Sequence, residues 1–186
     1  MLDIYRNIVV DANKKINLVS RRNVENLLKV LIDESLLPLK WDICHLCSPL
    51  IDIGSGAGIP GIPLKIEKPE LALTLLDANR RKSLFLKQVI EQLLLDDVEV
   101  VRERAENICY DSAYRERFGT LTSRAACSLK DLLIWGGFLL KPGGELILWK
   151  GSSLDEEMVG LDTDGWDDPD FLRQPSGLTL IRFVKS

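Results

Sequence analysis

Histidine is almost missing from this chain, with His45 the only one, and cysteine is confined to Cys44, Cys47, Cys109 and Cys127. Cys44-His45-Leu46-Cys47 has the spacing of half a zinc site, but no second pair follows it, so no metal is expected. Long apolar runs are missing too: Leu132 to Leu140 and Leu146 to Trp149 stop far short of the ~20 residues a membrane span needs. A secretory leader is not apparent, because Met1 is followed by Asp3, Arg6 and Asp11 instead of a basic start and an apolar stretch. The chain is therefore expected in the cytoplasm, with no membrane partner and with free thiols. Net charge is small as well, −4, while 46% of the 186 residues are apolar. That combination excludes a disordered chain and suits one domain carrying at most a small appendage.

The charge is unevenly spread. Between Gly151 and Leu172 lie Asp155, Glu156, Glu157, Asp162, Asp164, Asp167, Asp168 and Asp170, with no Lys or Arg among them. The remainder holds 24 basic against 20 acidic residues, a body of about +4 that could meet nucleic acid while the acidic segment stays clear. The plainer reading of the acidic segment is a solvated loop. Basic pairs at Lys14-Lys15, Arg21-Arg22, Arg80-Arg81-Lys82, Arg102/Arg104 and Arg115/Arg117 are phosphate contacts at best. Arg80, Arg81 and Lys82 read more simply as a solvated helix start.

Periodicity divides the chain at about residue 40. Ile4, Ile8, Val9 and Ala12, then Val24, Leu27, Leu28, Leu31 and Ile32, give two helical stripes, closed by Pro38. Residues 1–40 are expected to form a short N-terminal helical extension and 41–186 the main domain. From Leu50 short apolar strands alternate with helical patterns: strands at 50–53, 71–77, 98–101, 121–123, 145–149 and 178–184, helices at 62–67, 79–95 and 128–140. Such alternation implies an α/β fold, a mostly parallel sheet with helices on both faces.

The chemistry is concentrated where the first strand ends. Asp52 is followed by Gly54-Ser55-Gly56-Ala57-Gly58-Ile59-Pro60-Gly61, glycines that let backbone turn tightly and approach a ligand. The helix that follows would turn its first N–H groups toward that ligand. Asp77, at the end of the next strand, is placed to accept from a ribose diol. Gly56 to Gly61 spells G-x-G-x-x-G, a dinucleotide fingerprint that alone is weak. Asp52 would face a pyrophosphate badly but an amino-acid ammonium well, and Pro60 removes an N–H donor a phosphate would use. Lys141-Pro142-Gly143-Gly144 before a strong strand completes the pattern of a Rossmann-like, class I S-adenosylmethionine-dependent methyltransferase. Simpler roles remain open: Asp52 as a loop cap, Glu106 as a helix-start acid, Arg124 in a structural salt bridge, Lys150 as a solvated lysine, Asn17 as a cap.

With these motifs in place, Ile51 to Leu64 closely resembles the bacterial 16S rRNA guanine-N7 methyltransferase family (RsmG, once called glucose-inhibited division protein B, GidB). The likeness continues through Leu75-Leu76-Asp77, Arg81-Lys82 with Phe85-Leu86, Arg104-Ala105-Glu106, Thr122-Ser123-Arg124-Ala125 and Lys150-Gly151. The resemblance implies cofactor contacts at Asp52, Gly54, Ser55, Gly56, Gly58, Ile59, Asp77, Ala105, Glu106 and Arg124, and substrate contacts at Asn17 and Lys150. It further implies an enzyme whose partner is 16S ribosomal RNA, with no catalytic base: guanine N7 carries a lone pair and no proton. The chain itself is expected to be a monomer. The chain departs from the family where His-x-x-Asp-Ser-Leu is usual, having Leu31 and Glu34, and where Phe-Asp is usual, having Phe118-Gly119. The alternatives are a class I methyltransferase for another RNA or a small molecule, an NAD-dependent oxidoreductase, and a non-catalytic RNA-binding protein.

Overall fold

The computed structural model describes all residues, 1–186. In chain order the elements are α1 (Leu2–Asn13), α2 (Val24–Ser35), a 3-10 turn (Leu37–Lys40), β1 (Leu50–Ile53), α3 (Gly61–Glu67), β2 (Leu73–Leu76), α4 (Arg80–Leu93), β3 (Val98–Val101), α5 (Ala105–Ile108), β4 (Phe118–Arg124), α6 (Leu129–Leu139), β5 (Leu140–Lys150), α7 (Leu154–Met158), β6 (Asp170–Arg173) and β7 (Thr179–Val184). The strands form one sheet in the order β3-β2-β1-β4-β5-β7-β6. β7 runs antiparallel to both β5 and β6, and the other pairings are parallel. The α/β class with a mostly parallel sheet is what the strand–helix alternation implied.

Successive strand residues point to opposite faces, so buried strands seed two cores. Leu50, Ile147 and Trp149 join one apolar cluster, while Ile51, Ile53, Leu146 and Leu148 join the other. Tyr5, Val9, Leu28 and Ile32 belong to the first cluster together with Ile62, Phe85 and Val89, so α1 and α2 share a core with the sheet. The second cluster is closed by Leu129, Leu132, Leu133 and Leu139 of α6.

Several elements differ from expectation for physical reasons. β4 begins at Phe118, earlier than expected, and passes through Gly119, where a Cβ would meet Cys47 Cβ at 2.7 Å and its carbonyl oxygen at 2.9 Å. The Lys141-Pro142-Gly143-Gly144 turn is absorbed into β5. The acidic segment is not simply a solvated loop: it contains α7 and β6. Arg182 of β7 draws Asp170 into the sheet at 2.8 Å and pairs with buried Glu145 at 2.6 Å.

Candidate functional site

Strand register brings three carboxyl ends level. Ile53 lies opposite Leu76 on one side and Ser123 on the other. Between β1 and β4 the strand order reverses, and in open α/β sheets the crevice beyond such a switch point is where ligands bind. Here that crevice is a cleft of about 560 Å³. Its floor is Gly54, Ser55, Gly56, Ala57 and Ile59, one end holds Asp77 and Lys82, and Arg124, Ala125 and Ala126 close the other. The remaining wall is largely apolar and comes from the N-terminal region: Leu27 and Leu31 of α2, and Leu18, Val19 and Ser20 of the loop before it.

Hydrogen bonds fix the floor. The N–H groups of Gly54 and Ser55 both donate to the Leu76 carbonyl, and the Ser55 hydroxyl donates to that of Asp52 at 2.8 Å. Gly54 has φ +72°, and a Cβ on it would fall 2.3 Å from Ala126 Cβ; only glycine allows the β1 loop and the Arg124–Ala126 loop to touch. Tyr5 reaches in from α1, fully buried, and its hydroxyl donates to the Ala57 carbonyl at 2.8 Å. Burial and the neighbouring Asp52 carboxylate push that hydroxyl's pKa well above its ordinary value. Ala125 sits at φ +52°, a strained conformation for a residue with a Cβ, within the cleft wall.

Asp77 is nearly buried. Its Oδ2 accepts from Gly56 N–H at 2.9 Å and its Oδ1 from Asn79 N–H at 2.8 Å. This carboxylate therefore joins the glycine loop to the cap of α4, where Asn79 accepts from Arg81 and Lys82 N–H. Asp52 is fully buried beneath the floor. Its Oδ1 accepts from the Thr122 hydroxyl at 2.9 Å and its Oδ2 from Gly61 N–H at 3.3 Å. Burial pushes its carboxyl up to about 7, against the pull of those two hydrogen bonds. The first N–H groups of α3 are consequently engaged: Gly61 donates to Asp52, and Ile62 to the Gly58 carbonyl. They do not face the cleft as the sequence led one to expect.

Of the sequence-derived residues, Gly54, Ser55, Gly56, Ile59, Asp77 and Arg124 meet in the cleft. Asp52 lies under it, and Gly58 faces Ile62 and Leu86, where a Cβ would meet their side chains at 2.4 and 3.1 Å. Ala105 and Glu106 stand on α5 beyond β3 and do not line the cleft, and Asn17 is exposed outside it. Neighbouring Asn13 is the residue that secures the 14–20 loop, its side chain accepting from Leu18 and Val19 N–H. Lys150 is also outside; it pairs with Glu157 of α7 at 2.8 Å. Burial pushes the Glu157 carboxyl up, but hydrogen bonds from Lys150 and Leu129 N–H outweigh it and hold the pKa below the ordinary value. Arg124 makes a salt bridge to Glu34 and still lines the cleft. Lys82, by sequence a solvated helix start, is a cleft residue; its position one turn into the helix after the acidic strand end was the available signal.

Among known proteins, a model of the family described as rRNA small subunit methyltransferase G (GidB) matches residues 1–165. The chain belongs to this rRNA small subunit methyltransferase G family. A relative of that name from Carboxydothermus hydrogenoformans is 38% identical over 159 residues, covering 85% of this chain and 67% of the relative. Another of that name, from Desulfitobacterium hafniense, is 42% identical over 158 residues, covering 84% of this chain and 64% of the relative. The chain thus spans about two thirds of the length of the curated relatives it matches. In fold it resembles a predicted O-methyltransferase from Agrobacterium tumefaciens, with TM-score 0.68 at 16% identity, covering 82% of this chain and 80% of that one. It also resembles geranyl diphosphate C-methyltransferase from Streptomyces coelicolor, solved with S-adenosyl-L-homocysteine, with TM-score 0.67 at 11% identity over 88% and 79% of the two chains. These likenesses give the fold, a Rossmann-like class I methyltransferase sheet. No helix is long and apolar enough to cross a membrane, and no group of three or more His, Cys, Asp or Glu is arranged to hold a metal ion.

Proposed function

We propose that this chain transfers the methyl group of S-adenosylmethionine to N7 of a guanine in 16S ribosomal RNA, acting as a monomer in the cytoplasm. The observation that carries the reading is the cleft at the β1/β4 switch point, in which a glycine floor and the Asp77 carboxylate meet an apolar wall. Those residues suit S-adenosylmethionine: Asp77 can accept from a ribose diol, and the backbone at Gly54 and Gly56 leaves room for close approach. Leu18, Leu27 and Leu31 offer apolar surface, and the family relationship supports both the cofactor and the RNA. Asp52, Gly58, Ala105, Glu106, Asn17 and Lys150 do not line the cleft, so they lend the reading no geometric support.

When bound, the cofactor supplies an electrophilic methyl on a sulfonium, whose departure leaves a neutral thioether while the positive charge passes to the guanine. The nucleophile is the N7 lone pair, so no residue has to remove a proton. The chain's contribution is alignment and exclusion of water, which is worth about 7–11 kcal/mol when reacting atoms are held in line. Leu27 and Leu31 of α2 and Leu18 and Val19 of the loop before it cover the cleft, Tyr5 holds the floor at Ala57, and Asp77 holds the glycine loop and would accept from the ligand. N7 lies on the major-groove edge, which is out of reach in an A-form helix, so the target belongs to a loop or is turned out of its stack.

The test is incubation with methyl-labelled S-adenosylmethionine and small ribosomal subunits or their RNA, followed by nucleoside mass spectrometry. Label recovered as 7-methylguanosine at one position of 16S RNA supports the proposal. Label in protein or a small molecule with RNA untouched overturns it.

A further inference from the structure

Glu34, read in the sequence as a departure from the pattern the chain resembles, has a use in the structure. Leu27, Leu31 and Glu34 follow one another at i, i+4 and i+7 on α2, which places them on one helix face; the first two line the cleft. The Glu34 carboxylate pairs with Arg124 at the end of β4, and both side chains are more than four-fifths buried. Trp149 holds the same point from β5, its indole N–H donating to the Glu34 carbonyl at 2.8 Å. The pair leaves Arg124 Nη1 buried with no hydrogen-bond partner. A lone guanidinium in this cleft would oppose any cationic ligand, and a lone carboxylate would attract one. Together they are neutral.

We propose that Glu34 is a positioning residue and counter-ion: it holds the Arg124 guanidinium in the cleft wall and cancels the charge that would repel a sulfonium. This inference rests on the cofactor reading above. Removing the Glu34 charge leaves the cleft one unit more positive, which penalises S-adenosylmethionine but not S-adenosylhomocysteine, whose sulfur is neutral. A purely structural role would weaken both equally.

Calorimetric titration of both compounds at pH 8 into the full chain decides the matter. In Glu34→Gln the affinity ratio of S-adenosylmethionine to S-adenosylhomocysteine should fall by on the order of fivefold, the Coulomb scale of one uncompensated charge in a partly solvated cleft. Arg124→Gln should raise the ratio, Glu34→Asp should preserve it, and Glu34→Gln/Arg124→Gln, which buries no lone charge, should restore it whatever the absolute affinities. If Glu34→Gln does not fold, the Arg124→Gln and double-variant arms carry the same prediction. A ratio that stays put in these variants while both affinities move together overturns the inference alone. No binding of either compound to the unaltered protein overturns the cofactor reading, and the inference with it.

Discussion

Asp52 offers the most direct thermodynamic test of the site, because its carboxyl is fully buried and burial pushes it from 3.8 up to about 7. Below about pH 4 the group is protonated in folded and unfolded chains alike, and its contribution to stability is fully present. Between about pH 4 and pH 7 the unfolded chain releases the proton while the folded protein keeps it. Stability then falls by ~1.4 kcal/mol per pH unit as pH rises, and the loss is complete once pH passes the folded value. The rise from 3.8 to about 7 corresponds to a difference on the order of 4 kcal/mol between the two ends of that window. Asp52→Asn keeps the side chain's shape and an acceptor oxygen for Thr122 or Gly61 but has nothing to titrate. Urea unfolding of both proteins at several pH values from about 4.5 to about 8 should give curves that converge or cross, the wild type losing ground to the variant as pH rises. If the difference between them stays flat, Asp52 is ionised throughout, its charge carried by the Thr122 hydroxyl and Gly61 N–H, and the burial reasoning fails. The same series bears on the ammonium role suggested by the sequence. Asp52 lies beneath the floor with both oxygens engaged, so cofactor affinity should show no rise through pH 7 that Asp52→Asn abolishes; such a rise would restore the ammonium role.

Asp77→Ala removes the acceptor of two short N–H bonds and the group placed for the ribose, so cofactor affinity measured by calorimetry should drop by about 1.5–3 kcal/mol; unchanged affinity would put the ribose elsewhere. Tyr5→Phe strands the Ala57 carbonyl beneath the cleft and should cost about 1–2 kcal/mol in denaturant unfolding, with weaker cofactor binding as the floor loosens. Gly119→Asp restores the family's usual residue yet forces a Cβ against the Cys47 backbone, so the melting temperature should fall, by an amount equivalent to about 2 kcal/mol or more. A variant as stable as the wild type would show that the Cys47 segment yields freely.

Much of the architecture can be read from local pattern, and the failures share a cause. β1, β2 and β3 are short apolar runs beside helices with clear stripes, so their order and parallel direction follow from alternation alone. β6 and α7 are hidden because charge density reads as solvated loop. What folds them is ion pairing to basic residues on the neighbouring strands, Arg182 on Asp170 and Lys150 on Glu157. By sequence the Gly119 departure resembles a lost functional residue, whereas the structure shows a packing constraint between β4 and the connector. In the site, Gly54, Gly56 and Asp77 are legible because each sits at a strand end, where function and local geometry coincide. Glu34, Leu27, Leu31 and Tyr5 are not, since their place at the cleft depends on residues remote in the chain, and only the packing of α1 and α2 on the sheet reveals them.

That same packing shapes the charges of the cleft. Arg124 is neutralised by Glu34, and Asp52 lies beneath the floor with its carboxyl pushed toward the protonated form. Asp77 and Lys82 are left as the charged cleft residues without an ionic partner, one acceptor and one donor side by side near the loop. An arrangement of this kind favours a ligand with separated polar groups over a polyanion, because a pyrophosphate would face Asp77 with only Lys82 to offset it. The engaged N–H groups of Gly61 and Ile62 argue in the same direction, since they remove the donors a phosphate would need. The literal G-x-G-x-x-G of residues 56–61 is therefore poorly suited to bind a dinucleotide here, and titrating NAD against S-adenosylmethionine while following thermal stabilisation should show a shift with the second compound alone.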